Sequence, residues 1–218
     1  MDLPQPDRRE RKRQRMASHL SATAFELFES QGYDAVSMEQ IADEADVAKA
    51  TLYNYFPVKE ALIAYRFRED IAAGMAERAK AISDHSTFDA RMRFLLGESA
   101  EWHSQRRSYL PQYLRFLTSQ ARYDGEVRQD KVCHSDTRQI LTGMFHAAQE
   151  SGEMATTQTA AQVAWSFEYL LYGAVSAWLN DPSESLSERF LAAFDLLMHG
   201  MAMPRKMKSS KPLSGRAK

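Results

Sequence analysis

Between Lys49 and Lys59 the chain sets out side chains suited to the major groove of a DNA duplex: Lys49, Ala50, Thr51, Tyr53, Asn54, Tyr55 and Lys59. Thr51 and Asn54 carry groups that hydrogen-bond base edges. The Thr51 methyl and the Ala50 side chain fit a thymine methyl, and Tyr53, Tyr55 and Lys59 can reach phosphate oxygens. To act together these side chains must share one face of one element. Leu52 and Phe56, four residues apart, supply the opposite, inward face of a short helix. Pro57 then stops it, and Lys59 stands just inside the start of the next helix, where backbone N–H groups also favour a phosphate.

A second short helix must lie ahead of the first. Ser37 can cap its N-terminus, with Gln40 reaching back in a capping box, and Ile41, Ala42 and Ala45 give it an apolar face. Asp46 falls at the turn and Val47 follows as a buried peg. Ser37 is counted with the DNA-facing residues, and Glu39, on the same side, is assigned to solvent. Two short helices joined by a tight turn describe a helix-turn-helix, whose second helix enters the major groove. The run V-A-K-A-T-L-Y-N-Y-F-P-V-K-E-A-L from Val47 to Leu62, preceded by G-Y-D-A-V-S-M-E-Q-I-A from Gly32 to Ala42, resembles the TetR (tetracycline repressor) family of bacterial transcriptional regulators. The resemblance covers about the first third of the chain. It implies a dimeric regulator whose second domain binds a small molecule. Two positions depart from the family pattern, Asp46 where Gly is usual and Ala50 where Gly or a small residue is usual. Asp tolerates the left-handed conformation better than most residues, so the turn survives at a modest cost.

Around this unit the periodicity predicts an all-α protein of about nine helices. A scaffold helix from about Arg9 to Gln31 ends at Gly32, and Tyr33, Val36 and Met38 complete its small core. A fourth helix from about Val58 to Ile82 uses Ala61, Leu62, Tyr65, Ile71, Met75 and Ala79. Helices then follow over about Thr87–Arg106, a short segment after Pro111, Asp124–Ser151 with Val127 inward, Gln158–Leu179 and Ser187–Met201. The expected division is 1–57 for the N-terminal arm and DNA-binding domain, 58–203 for a helical ligand-binding and dimerisation domain, and 204–218 for a basic, disordered tail.

Charge is distributed unevenly. The net charge of −1 hides +5 over residues 8–15 and +6 over residues 204–218, which leaves −12 for the remainder. The N-terminal run leads into the first helix and is expected on phosphates; the C-terminal run reads as a solvated tail. With 218 residues and 44% hydrophobic composition a sizeable core is available, and Cys133 alone cannot form an internal disulfide. No apolar run is long enough for a membrane span and no signal-peptide pattern is present, so a cytoplasmic location is expected.

The middle helices supply candidate pocket residues, Trp102, His103, Tyr113, Phe116, Met144, Phe145 and Tyr169, the apolar and aromatic material of a small-molecule site. The last two helices are apolar around most of their circumference. Val163, Phe167, Leu170, Leu171, Ala174 and Trp178 form one stripe, while Trp165, Tyr169 and Tyr172 occupy the other side. Tyr172, Gly173, Ala177, Phe190, Phe194 and Leu197 are the expected homodimer interface, with Gly173 and Ala177 allowing close helix approach.

No catalytic constellation accompanies these features. Cys133 and His134 are adjacent, so on a helix their side chains diverge, and His85, His103, His134, His146 and His199 lack the spacing of a zinc helix. Neither an enzyme, a metal site nor a cofactor is expected. The favoured reading is a repressor that binds a palindromic operator on double-stranded DNA as a dimer and is released by a small, largely apolar or aromatic effector. The alternative is a DNA-anchored interaction protein, in chromosome organisation or division control, without such a ligand.

Overall fold

The computed structural model describes residues 7–120 and 136–200. These residues form nine α-helices and no strand: α1 (Arg8–Gln31), α2 (Met38–Glu44), α3 (Lys49–Tyr55), α4 (Lys59–Ser83), α5 (Phe88–Gln105), α6 (Leu110–Gln120), α7 (Asp136–Glu150), α8 (Ala160–Asn180) and α9 (Leu186–His199). A turn of 3-10 helix, Arg107–Tyr109, joins α5 to α6. The all-α architecture and the helix-turn-helix are as the periodicity predicts.

Local chemistry sets the ends. Gly32 (φ 86°) closes α1 by donating its N–H to Phe28 O, and Gly152 (φ 76°) follows α7. Thr159 and Ser185 cap α8 and α9 through complete capping boxes with Gln162 and Glu188. At α2 only half of the expected box forms. Ser37 Oγ accepts from Gln40 N at 3.1 Å, but the Gln40 side chain turns back to α1 and donates to Gln31 Oε1 at 2.8 Å. Pro111 sits in the first turn of α6 instead of marking a break before it, since a missing N–H costs nothing there.

The helices α2 and α3 have seven residues each and cannot hold themselves in water. Burial holds them: Ile41, Ala42, Leu52 and Phe56 are at most 2% exposed against α1 and α4. Leu52→Ala is therefore expected to cost about 2–5 kcal/mol in urea unfolding, and an unchanged midpoint would show that this anchor is not needed.

The helix α4 belongs physically to both ends of the molecule. Its first half packs on α1 through Leu62, Ile63 and Tyr65, and Ser21 Oγ on α1 donates to Leu62 O at 3.1 Å. Phe67, one turn later, lies between Trp102 of α5 and Tyr113 of α6, with ring centroids 4.8 and 4.9 Å away. Tyr109 adds a second bridge, its ring 5.1 Å from Phe25 on α1. One hydrophobic core runs through all of these.

Several expectations fall differently. Ala79 is exposed, because the buried stripe of α4 follows Leu62, Ile63 and Phe67. Leu170 is 36% exposed, because the inward face of α8 runs through Val163, Ala164, Phe167, Glu168, Leu171, Val175 and Trp178. The expected first turns of the Asp124–Ser151 helix, with Val127, Cys133 and His134, lie outside the described residues. So do Met201, the 204–218 tail and the Met75 side chain.

Candidate DNA-binding face and inner cavity

The helix-turn-helix closes on backbone hydrogen bonds. Val47 N donates to Ala42 O at 3.0 Å and Asp46 N to Asp43 O at 3.2 Å, with Asp46 left-handed at φ 52°. That fixes α3 across α2 and turns one face outward. Lys49, Ala50, Tyr53 and Asn54 are exposed, Tyr53 by 43%, while Thr51 and Tyr55 are half-buried. Tyr55 also packs against the core, so its ring is partly committed. Ser37 is exposed with its hydroxyl engaged by Gln40 N. Glu39 on α2 pairs with Lys49 at 4.0 Å, an exposed contact of small worth.

Lys59 has a structural duty that its sequence position did not reveal. Its Nζ donates to Tyr33 O and Val36 O, each at 2.6 Å, and lies 4.1 Å from the centre of the Tyr33 ring. Two of its three N–H groups thus tie the start of α4 to the loop before α2, and partial burial pushes its ammonium pKa below the usual lysine value. Lys59→Met should cost about 1–3 kcal/mol of stability, measured by urea unfolding, by leaving two carbonyls without a charged donor. A variant as stable as the parent would assign Lys59 to surface contacts alone.

The basic run on α1 is exposed from Arg8 to Arg15. Arg11 and Arg15 share with Arg68 of α4 an open groove that also holds Gln14, Ser18, Tyr65 and Glu69.

Beneath this unit lies a cavity of about 100 Å³. Ile71 and Arg78 of α4 form one side, Leu95, Leu96, Ser99, Trp102 and His103 of α5 another, and Tyr113, Ile140, Leu171, Tyr172, Val175 and Phe190 close it. Of the seven pocket candidates, Trp102, His103 and Tyr113 line this cavity. The other four do not line it: Phe116 and Phe145 are core residues, Met144 is half-buried against that core, and Tyr169 is 40% exposed on the outer surface. Helical spacing places an aromatic residue on a face without telling whether that face is packed or hollow.

The cavity's polar groups are mostly engaged. His103 Nδ1 lies 2.6 Å from Ser99 O, so that nitrogen carries the proton and donates. Burial, opposed by this hydrogen bond, pulls the imidazole down to about 4, so it is neutral at physiological pH. Because its folded pKa is depressed, the folded chain binds fewer protons than the unfolded one between about pH 4 and 6.5. Stability therefore falls as pH drops through that window, by up to about 3 kcal/mol, and does not change further below it on this account. His103→Phe should flatten the difference between urea midpoints at pH 7 and pH 5; an unaltered difference would assign it to other groups.

Glu168, unforeseen from the sequence, is the only charged side chain of α8 and is fully buried. Arg138 of α7 donates to its Oε2 from Nε at 2.7 Å, and Tyr172 donates to Oε1 at 2.9 Å. Its isolation in an apolar helix was the available signal. On the far side of Trp102, the Arg106 guanidinium stacks 4.4 Å from the ring centre and donates to Asp70 on α4 at 3.0 Å.

The expected dimer residues divide. Phe190 and Phe194 face inward, Phe194 with its ring 6.0 Å from both Phe88 and Phe167, because α9 closes the monomer's own core with that stripe. Tyr172 lines the cavity and Leu197 is half-buried. Gly173 and Ala177 are exposed, and a Cβ on Gly173 would meet nothing within 4 Å. Around them Trp165, Tyr169, Leu170 and Leu196 are 36–52% exposed. Among the described residues no helix is long and apolar enough to cross a membrane, and no group of three His, Cys, Asp or Glu residues could hold a metal.

The helix-turn-helix is thus carried on an all-α body whose helix α4 also walls an internal cavity. The family model for bacterial regulatory proteins of the tetR family matches residues 20–65, the helix-turn-helix with parts of the helices that flank it. The chain is 27% identical to the transcriptional regulator MftR of Mycobacterium tuberculosis over 202 residues, covering 91% of this chain and 98% of that one. It is 28% identical to the transcriptional repressor KstR of Mycolicibacterium smegmatis over 200 residues, 90% and 93% of the two chains. Its fold matches that of the Thermus thermophilus repressor FadR, solved with lauroyl-CoA, at a TM-score of 0.73 and 20% identity, covering 92% of this chain and all of that one.

Proposed function

We propose that the protein is a ligand-responsive transcriptional repressor that binds a two-fold symmetric operator as a homodimer and leaves it when a small, largely apolar effector occupies the inner cavity. The observation that carries this reading is the double use of α4. The helix that packs on the DNA-binding unit through Leu62 and Ile63 also walls the cavity through Ile71 and Arg78. An effector that binds one position of α4 better than another shifts the population of the recognition helices accordingly.

On the DNA, Lys49, Ala50, Thr51, Tyr53 and Asn54 meet base edges and nearby phosphates, while the exposed start of α1, the Ser37 turn, Tyr55 and the N-terminus of α4 at Lys59 meet the backbone. The second copy docks on the outer face of α8 and α9, over Trp165, Tyr169, Gly173, Ala177 and Leu196. The apolar lining suits an effector with a hydrocarbon body, a description that the lauroyl-CoA held by the Thermus thermophilus repressor also fits.

The contact most exposed to test is Arg106–Asp70. Asp70→Asn keeps the shape of the site but weakens the link between the cavity's Trp102 wall and α4. Operator binding followed by fluorescence anisotropy should persist in this variant, while the effector concentration needed for release rises severalfold. Release identical to the parent would place the coupling elsewhere along α4.

A further inference from the structure

The cavity wall holds a hydrogen-bond acceptor that the protein itself does not use. His103 Nδ1 lies 2.6 Å from Ser99 O, a carbonyl one turn back on α5, so Nδ1 carries the proton and Nε2 keeps a lone pair. The two nitrogens face opposite sides of the imidazole. With Nδ1 turned back on its own helix, Nε2 points off α5, on the side where Phe190 of α9 meets the ring edge-on at 5.8 Å and lines the same cavity. Nε2 has no hydrogen-bond partner among the described residues. Nor is it one of the two unpartnered polar side-chain atoms there, Trp102 Nε1 and Arg189 Nε, that are sealed off from open space, so Nε2 borders open space. Because burial pulls the imidazole down to about 4, that space is the enclosed cavity and not the outer solvent. Glu168, which lines the cavity too, already accepts from Arg138 and Tyr172. Enclosed polar groups nearly always have partners, and an unused acceptor on a cavity wall asks for a donor from outside.

We infer that the effector carries a hydrogen-bond donor, a hydroxyl or N–H on an apolar body, and that this donor binds His103 Nε2. This rests on the cavity being the effector site, and it narrows the effector from any apolar molecule to one with a donor. A hydrocarbon or an ether of the same shape desolvates the lone pair and returns nothing to it.

Three small probes of matched size separate these cases: benzyl alcohol with a donor, anisole with an oxygen acceptor alone, and ethylbenzene with neither. Their affinities are measured at neutral pH by titration calorimetry on the full chain and its His103→Phe variant. The variant removes the lone pair and keeps an aromatic ring, and ethylbenzene serves within each protein as the control for altered packing. The ratio of benzyl alcohol affinity to ethylbenzene affinity should fall about tenfold in the variant, the worth of one buried hydrogen bond, while the ratio for anisole stays the same. In the parent, benzyl alcohol should move the His103 Nε2 nitrogen resonance upfield, as accepting a hydrogen bond does, and the other two probes should leave it in place. If the variant does not fold, that resonance alone decides. An unmoved resonance, an unchanged benzyl alcohol ratio, or an anisole ratio that falls as far overturns the inference while leaving the cavity as a binding site. If none of the three probes binds the parent, the cavity is not an effector site and both readings fail.

Discussion

Arg138→Leu is expected to unfold the protein more readily than almost any other single change to a partly exposed side chain. Glu168 lies wholly inside the molecule, and its Oε2 accepts from both Nε and Nη2 of Arg138, at 2.7 and 2.6 Å. Removing the cation takes from a buried carboxylate the guanidinium that offsets its charge, and breaking such a pair typically costs about 3–5 kcal/mol. Removing both charges is different. In Arg138→Leu/Glu168→Leu no ion remains to be desolvated, so the double variant should recover most of the loss. Urea unfolding of the two single variants and the double variant gives the coupling directly. A double variant as unstable as Arg138→Leu would mean that the pair contributes through its packing and not its charge.

The second large effect concerns assembly. Trp165, Tyr169, Leu170 and Leu196 expose a patch of aromatic and aliphatic surface around Gly173, where a neighbouring helix meets no side chain. Tyr169→Glu places a charge at the middle of that patch, where a second copy would have to bury it unpaired. The variant should sediment as a monomer at micromolar concentration and bind operator DNA at least about a hundredfold more weakly, since one recognition helix is left to do the work of two. Its thermal unfolding should lose the dependence on protein concentration that a dimer shows, while the fold of the single chain is kept because Tyr169 is 40% exposed there. A dimer that survives this substitution would move the interface off α8.

The recognition unit was readable in the sequence because every level of it agrees. The spacing of Leu52 and Phe56, the Ser37 cap, the turn at Asp46 and the Pro57 stop are all local signals, and local signals survive folding. The cavity was readable only in part. Trp102, His103 and Tyr113 reach it, but Phe116 and Phe145 stand at the same helical spacing and are packed solid. Whether a face is hollow depends on the separation between helices, which no single helix encodes. The same limit explains Phe190 and Phe194, apolar residues that satisfy the monomer before they are available to a partner. Lys59 shows the converse case: a cation at a helix start suits a phosphate, yet Tyr33 O and Val36 O, brought close by the fold, take two of its protons first. Glu168 could have been noticed as the lone charge of an apolar helix, but its partner lies 30 residues away and on another helix.

Selection of bound duplexes from a random pool by the purified protein, at about physiological salt, decides whether it reads DNA as a specific dimer. A homodimer reading a two-fold operator should select one palindromic motif whose half-sites lie about 34–36 Å apart, matching two copies of α3 in successive major grooves. An enrichment of AT-rich sequence with no motif would contradict it and turn attention to a protein held on the DNA in place of a molecule sensed by the cavity.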